Sequence, residues 1–141
     1  MAKLEVVPYE AVHLARLRPR SCHSKEAFGE IGTPAVSVMD GTDPLGIIGG
    51  FQVDPGILHA WALLSDQILR SPVAFTKAVK KLADHWLEDK GMRRIQIAVR
   101  VDHPAGRSWA QVLGFKVEGV LKHYGPDGAD YFMMGRTRWV Q

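Results

Sequence analysis

Few residues of this chain are spaced for chemistry of their own. Six histidines and a single cysteine, Cys22, are the potential metal ligands and nucleophiles. A structural zinc site needs ligand pairs a few residues apart, so that one turn presents both to the ion. Cys22 and His23 are adjacent in a polar segment, His13 lies ten residues before His23, and His85 stands beside Trp86. None of these forms such a pair, so no metal is expected. Cys22 has Arg18, Arg20 and Lys25 nearby in sequence, and cations lower a thiol pKa. No Cys-His or Ser-His-Asp arrangement accompanies it, and it reads as an ordinary free thiol. His59 differs, because it falls in a strand-like stretch and an imidazole titrating near neutrality suits proton abstraction.

Composition narrows the classes. A chain of 141 residues suits one domain with one core, and residues 1–141 are read as a single domain. Hydrophobic residues at 46% and charged residues at 23% are the proportions of a soluble globular protein. Eighteen basic against 15 acidic residues leave a net charge of +3, too little to predict nucleic-acid binding unless the cations share a face. Lys77, Lys80 and Lys81, with Arg93 and Arg94 after them, come nearest, and they read as a solvated helix face. No apolar run is long enough to span a bilayer, and the start Met1 to Glu5 opens no secretion signal. One cysteine excludes an internal disulfide and is compatible with a reducing compartment. The expected address is the cytoplasm.

The elements that would position any site follow from periodicity. Residues 3–7 predict a first strand closed by Pro8, and residues 9–18 a helix with Val12, Leu14, Ala15 and Leu17 at helical spacing, ended by Pro19. Ser24 to Glu30 reads as a second short helix. Residues 34–39, 45–53 and 57–64 predict three strands joined by the turns at 40–43 and 54–56. Gly49 and Gly50 in the middle strand suggest a bulge or a close backbone approach. Ser71 and Pro72 open the best-defined helix, whose Phe75, Val79, Leu82 and Trp86 share one face, with Lys77, Lys80, Lys81, Asp84 and Glu88 on the other and Gly91 as its stop. A strand over 94–101 follows, then a helix over 104–113 capped by Asp102 or His103, then strands over 115–124 and 131–137 around the turn at 126–128. Trp61, Trp86 and Trp109 fall on core faces, whereas Trp139 is left to dock on a neighbouring subunit or partner. The order β-α-α-β-β-β-α-β-α-β-β predicts a mixed sheet with helices on both faces and a right-handed crossover.

That order resembles the GNAT N-acetyltransferase superfamily, and particular residues carry the likeness. Asp102 to Phe115, ending in Leu113-Gly114-Phe115, looks like the last conserved helix of the family, with Glu118-Gly119 at the usual distance and 124–136 as the terminal hairpin. The fold so implied is α/β, a GNAT-like mixed, mostly antiparallel sheet with helices on both faces. In that family two splayed strands admit the pantetheine arm of acetyl-CoA. A glycine-rich loop at the start of the following helix cradles the pyrophosphate with backbone amides. The loop aligns here with Gln67 to Pro72. Gln67 matches its first position, but Arg70 and Pro72 replace small residues. Arg70 crowds the loop and Pro72 removes an amide, although a guanidinium could instead reach a phosphate. The resemblance implies Leu63, Leu64, Gln67, Arg70 and Ser71 as cofactor-binding positions, with amides near Leu63 and Leu64 on the acyl oxygen. It implies His59 or Glu118 as base toward an amine. Ala110 stands where many members carry the tyrosine acid, and His103 where they carry asparagine.

Within the family, residues 44–50, Trp61, residues 64–68 and residues 124–131 look most like small phage and prophage proteins, including the small internal virion protein of short-tailed coliphages. This likeness and the altered loop imply a non-catalytic, virion-associated or protein-binding module with virion or host protein partners, located in host cytoplasm or a phage particle. The alternative is an acyl-CoA-dependent N-acetyltransferase acting on an amine.

Overall fold

The computed structural model describes residues 4–20 and 34–138. The expected helix from Ser24 to Glu30 and the expected docking residue Trp139 lie outside them. The elements are β1 (Leu4–Pro8), α1 (Ala11–Arg16), β2 (Ala35–Asp40), β3 (Asp43–Asp54), β4 (Ile57–Leu64), a 3-10 turn (Asp66–Arg70), α2 (Pro72–Glu88), β5 (Arg94–Arg100), α3 (Pro104–Val112), β6 (Lys116–Leu121) and β7 (Tyr131–Thr137). The strands form one sheet in the order β1-β2-β3-β4-β5-β7-β6. β4 and β5 run parallel, joined through α2, while β1–β2, β2–β3, β5–β7 and β6–β7 are antiparallel. The sheet is therefore mixed and mostly antiparallel, as the element order predicts.

Contacts divide the described chain into two compact units. One comprises the residues up to Phe51 with Ala60–Val79, the other Gln52–His59 with the residues from Lys80 onward. In the first, β3 is buried at seven consecutive positions, Pro44 to Gly50, because both of its faces are covered. On one face Leu17, Ile47 and Leu63 pack together with Tyr9, Leu14 and Trp61. On the other lies Phe75 of α2, 1% exposed. Gly46 makes room for its ring, since a Cβ there would stand 3.0 Å from Phe75 Cζ. Gly49 is the expected close approach: a Cβ would meet Trp61 at 2.6 Å and the Pro34 carbonyl oxygen at 2.8 Å. β3 itself continues through Gly49 and Gly50, and the irregularity falls at Val38/Met39 of β2. Val12 turns out to be exposed and His13 buried. The Glu10 amide donates to His13 Nδ1 at 3.1 Å, and Ser37 Oγ lies 2.8 Å from the same nitrogen, so local capping overrides the apolar spacing of this short helix.

In the second unit the strands are less deeply covered than β3. Ile95 of β5 and Met134 of β7 are fully buried, so the flanking residues Arg94, Gln96 and Gly135 lie on the opposite face. The α2 residues Leu82 and Trp86 are buried as the periodicity predicts. Asp84 is not on a purely solvated face, because it pairs with Arg136 of β7. On the same face of β7, Arg107 of α3 lies over the Phe132 ring at 5.6 Å. His103 occupies the N-cap of α3 without a side-chain bond, while the Asp102 carboxylate pairs with Arg100 instead. α2 ends at Glu88, and Gly91 takes a positive φ of 71° just beyond it.

Candidate functional site

The residues proposed for phosphate contact fall on the turn between β4 and α2. Ser65, fully buried, ends the strand and caps the turn: the Gln67 amide donates to its Oγ at 3.1 Å. The Ile68 amide donates to the Ser65 carbonyl at 3.2 Å, and the Ser71 amide to the Ile68 carbonyl at 3.1 Å. Pro72 has no amide to offer. Three N–H groups of this segment are thus bonded within it. Arg70 lies on the exposed side of the turn, its Nη2 3.7 Å from Asp43 Oδ2.

The end of β4 is also engaged by the chain itself. The Ser65 amide donates to the Leu45 carbonyl of β3 at 2.9 Å. The Leu64 carbonyl shares one trans peptide with the Ser65 amide and points opposite to that N–H, so it faces away from β3. It accepts there from the Arg20 amide at 2.8 Å. Pro19 and Ser65 form an antiparallel bridge, and Arg20 Nε lies 3.5 Å from Asp66 Oδ1. Leu63 points its side chain into the core with Leu17 and Ile47.

The two candidate bases lie at opposite ends of one row of side chains in the second unit, linked through Gln96 and Arg94. His59 of β4 pairs in register with Gln96 of β5, and Gln96 with Gly135 of β7. Lys116 of β6 pairs with Gly135 in turn, and the register shift between Val117 and Gly119 sets Glu118 at a bulge. A polar chain runs across these strands. Gln96 Nε2 lies 3.4 Å from His59 Nδ1, Arg94 Nε donates to Gln96 Oε1 at 3.0 Å, and Arg94 Nη1 donates to Glu118 Oε2 at 2.9 Å. Arg94 Nη2 donates to Glu118 Oε1, which makes the pair bidentate. Gly135 lets it cross β7: a Cβ there would stand 2.6 Å from Arg94 Nη1 and 2.7 Å from Glu118 Oε2.

This chain of contacts sets the electrostatics. Burial lowers the pKa of His59 by disfavouring the imidazolium. The hydrogen bond from Arg94 holds the Glu118 carboxyl below the usual carboxylate range, against a smaller opposing effect of burial. Arg94, Gln96 and Gly135 are the residues that the sequence reading of the site missed. Their signal was present as two polar residues two apart at the start of a strand that is otherwise apolar up to Arg100, with a glycine interrupting β7. Ala110 is buried at 2% exposure on α3. Among the described residues no group of three or more His, Cys, Asp or Glu comes together to hold a metal. No helix among them is long and apolar enough to cross a membrane.

This architecture is the fold of GNAT-family acetyltransferases. The chain is similar to the acetyltransferase (GNAT family) from Bacillus anthracis, with a TM-score of 0.75 and 11% identity over 98% of this chain and 97% of that one. It is similar to the ribosomal-protein-S18-alanine N-acetyltransferase from Escherichia coli, with a TM-score of 0.76 and 16% identity over 99% and 96%. A spermidine N-acetyltransferase chimera from Vibrio cholerae gives 0.73 and 14% over 96% and 95%. At these identities the likeness is one of fold. No protein-family model matches the sequence, and no curated protein matches it.

Proposed function

We propose that this chain is a single GNAT-like domain with a degenerate acetyl-CoA site, acting as a non-catalytic protein-binding module of a phage or prophage. The observation that carries the reading is the closed turn after β4. A pyrophosphate cradle needs free backbone amides converging on the anion. In this turn Gln67, Ile68 and Ser71 spend theirs on Ser65 and Ile68, and Pro72 has none. Those three amides and Pro72 are thus withheld from the pyrophosphate of acetyl-CoA. Two further features support the reading. The Leu64 carbonyl, on the strand edge where a pantetheine arm would lie, already accepts from Arg20. Glu118, bidentate to Arg94 and held ionised well below neutrality, is a weak acceptor for an amine proton.

Calorimetric titration of the whole chain with acetyl-CoA, beside free CoA, tests the proposal. The expected result is no saturable heat at millimolar ligand. Saturable binding near about 1 µM, about −8 kcal/mol, overturns it and returns the chain to the acyl-CoA-dependent N-acetyltransferases acting on an amine. The phage assignment rests on residues 44–50, 64–68 and 124–131. It is tested by probing density-purified particles for the chain, and a chain found only in the host fraction removes the virion role.

A further inference from the structure

The polar row across the second unit does more than join two candidate bases. Arginine carries N–H donors and no acceptor, so the oxygen of the Gln96 amide must face Arg94 Nε at 3.0 Å. The other end of that amide, Nε2, is only a donor, and it faces His59 Nδ1 at 3.4 Å. A nitrogen that receives an N–H must present its lone pair. Arg94 is held in place by Glu118 through both terminal nitrogens, so the direction of every bond is set from the far end.

We infer that Arg94 and Gln96 are positioning residues that hold His59 as a neutral imidazole with its proton on Nε2, so that His59 serves as a hydrogen-bond donor and not as a base. A protonated Nε2 pairs with an oxygen acceptor, a carbonyl or a carboxylate, and cannot take the proton of an amine. Burial of the ring, which disfavours the imidazolium, acts in the same sense. Gly135 belongs to the device, because any side chain there would displace Arg94 Nη1 and Glu118 Oε2 from each other. The position of the proton on His59 does not depend on whether the chain binds acetyl-CoA.

Long-range proton–nitrogen spectra of the uniformly 15N-labelled chain read the tautomer directly, with the His59 signals assigned by their loss in His59→Gln. At neutral pH the expected pattern is a protonated Nε2 and a lone-pair Nδ1. Gln96→Glu places a carboxylate oxygen opposite Nδ1, which reverses the tautomer and lets the ring charge at higher pH. Gln96→Leu removes the donor to Nδ1 and lowers the share of the native form. A native chain with its proton on Nδ1 overturns the inference, and so does a Gln96→Glu chain that keeps the native pattern. The native spectrum decides even if a variant fails to fold.

Discussion

Gly135 and Glu118 show how little room the polar row leaves at single residues. The nearest atoms to the Cβ of a Gly135→Ala variant would be the ends of two flexible side chains, so the fold should survive. The Arg94–Glu118 pair is partly exposed, with side-chain accessibilities of 21% and 41%, and losing it should cost no more than about 1 kcal/mol. The clearer effect is on titration. Without the bonds from Arg94, the Glu118 carboxyl should titrate at higher pH than in the native chain, as 13C carboxyl spectra would show, and an unshifted Glu118 would rule out this role for Gly135. His59 gives a second prediction. Its folded pKa is below the 6.5 of the free side chain, so between the two values the unfolded chain binds more protons. Stability must then fall as pH drops through about 6.5. Denaturant midpoints compared at about pH 7.5 and about pH 5.5 should fall further for the native chain than for His59→Gln, and equal losses would remove the effect of burial.

At the scale of elements, α2 illustrates why position on a helix matters more than residue type. Phe75 sits on β3 with Gly46 beneath its ring, whereas Val73, two residues earlier, is 68% exposed. Phe75→Ala should lower the unfolding free energy by about 3–5 kcal/mol, and Val73→Ala should stay within about 0.5 kcal/mol. Urea denaturation distinguishes them, and similar losses would mean that Phe75 does not anchor the helix. The turn before α2 follows the same logic. Ser65 is a cap on both counts, hydroxyl to Gln67 and carbonyl to Ile68, and its complete burial ties the local turn to the end of β4.

For the molecule as a whole, contacts group into two units, yet β3, β4 and α2 each supply residues to both. Continuous elements of this kind resist separate melting, because a half-unfolded helix or strand exposes its remaining apolar face. Heat unfolding followed by tryptophan fluorescence and by far-ultraviolet circular dichroism should therefore give coincident curves. Two separated transitions would mean that the units are independent and that the single-domain reading of residues 1–141 is wrong.

The order of strands and helices outside residues 21–33, the buried face of α2 and the turns at glycines were legible in the sequence because each depends on local periodicity and backbone chemistry. Phe75, Val79, Leu82 and Trp86 recur at helical spacing, and they are buried. Gly49 marked a close approach, although only the packed structure supplied Trp61 and the Pro34 carbonyl as its partners. The altered phosphate loop was visible as Arg70 and Pro72, but not that Ser65 would close the turn from within, since that depends on how β4 ends. The link from His59 to Glu118 was hidden for a stronger reason. Its four residues, His59, Gln96, Arg94 and Glu118, come from three strands far apart in the chain, and only register across β4, β5, β7 and β6 places them in one row. Sequence spacing carries no information about that register, because long-range strand pairing is set by the packed core and by the bulge at Glu118.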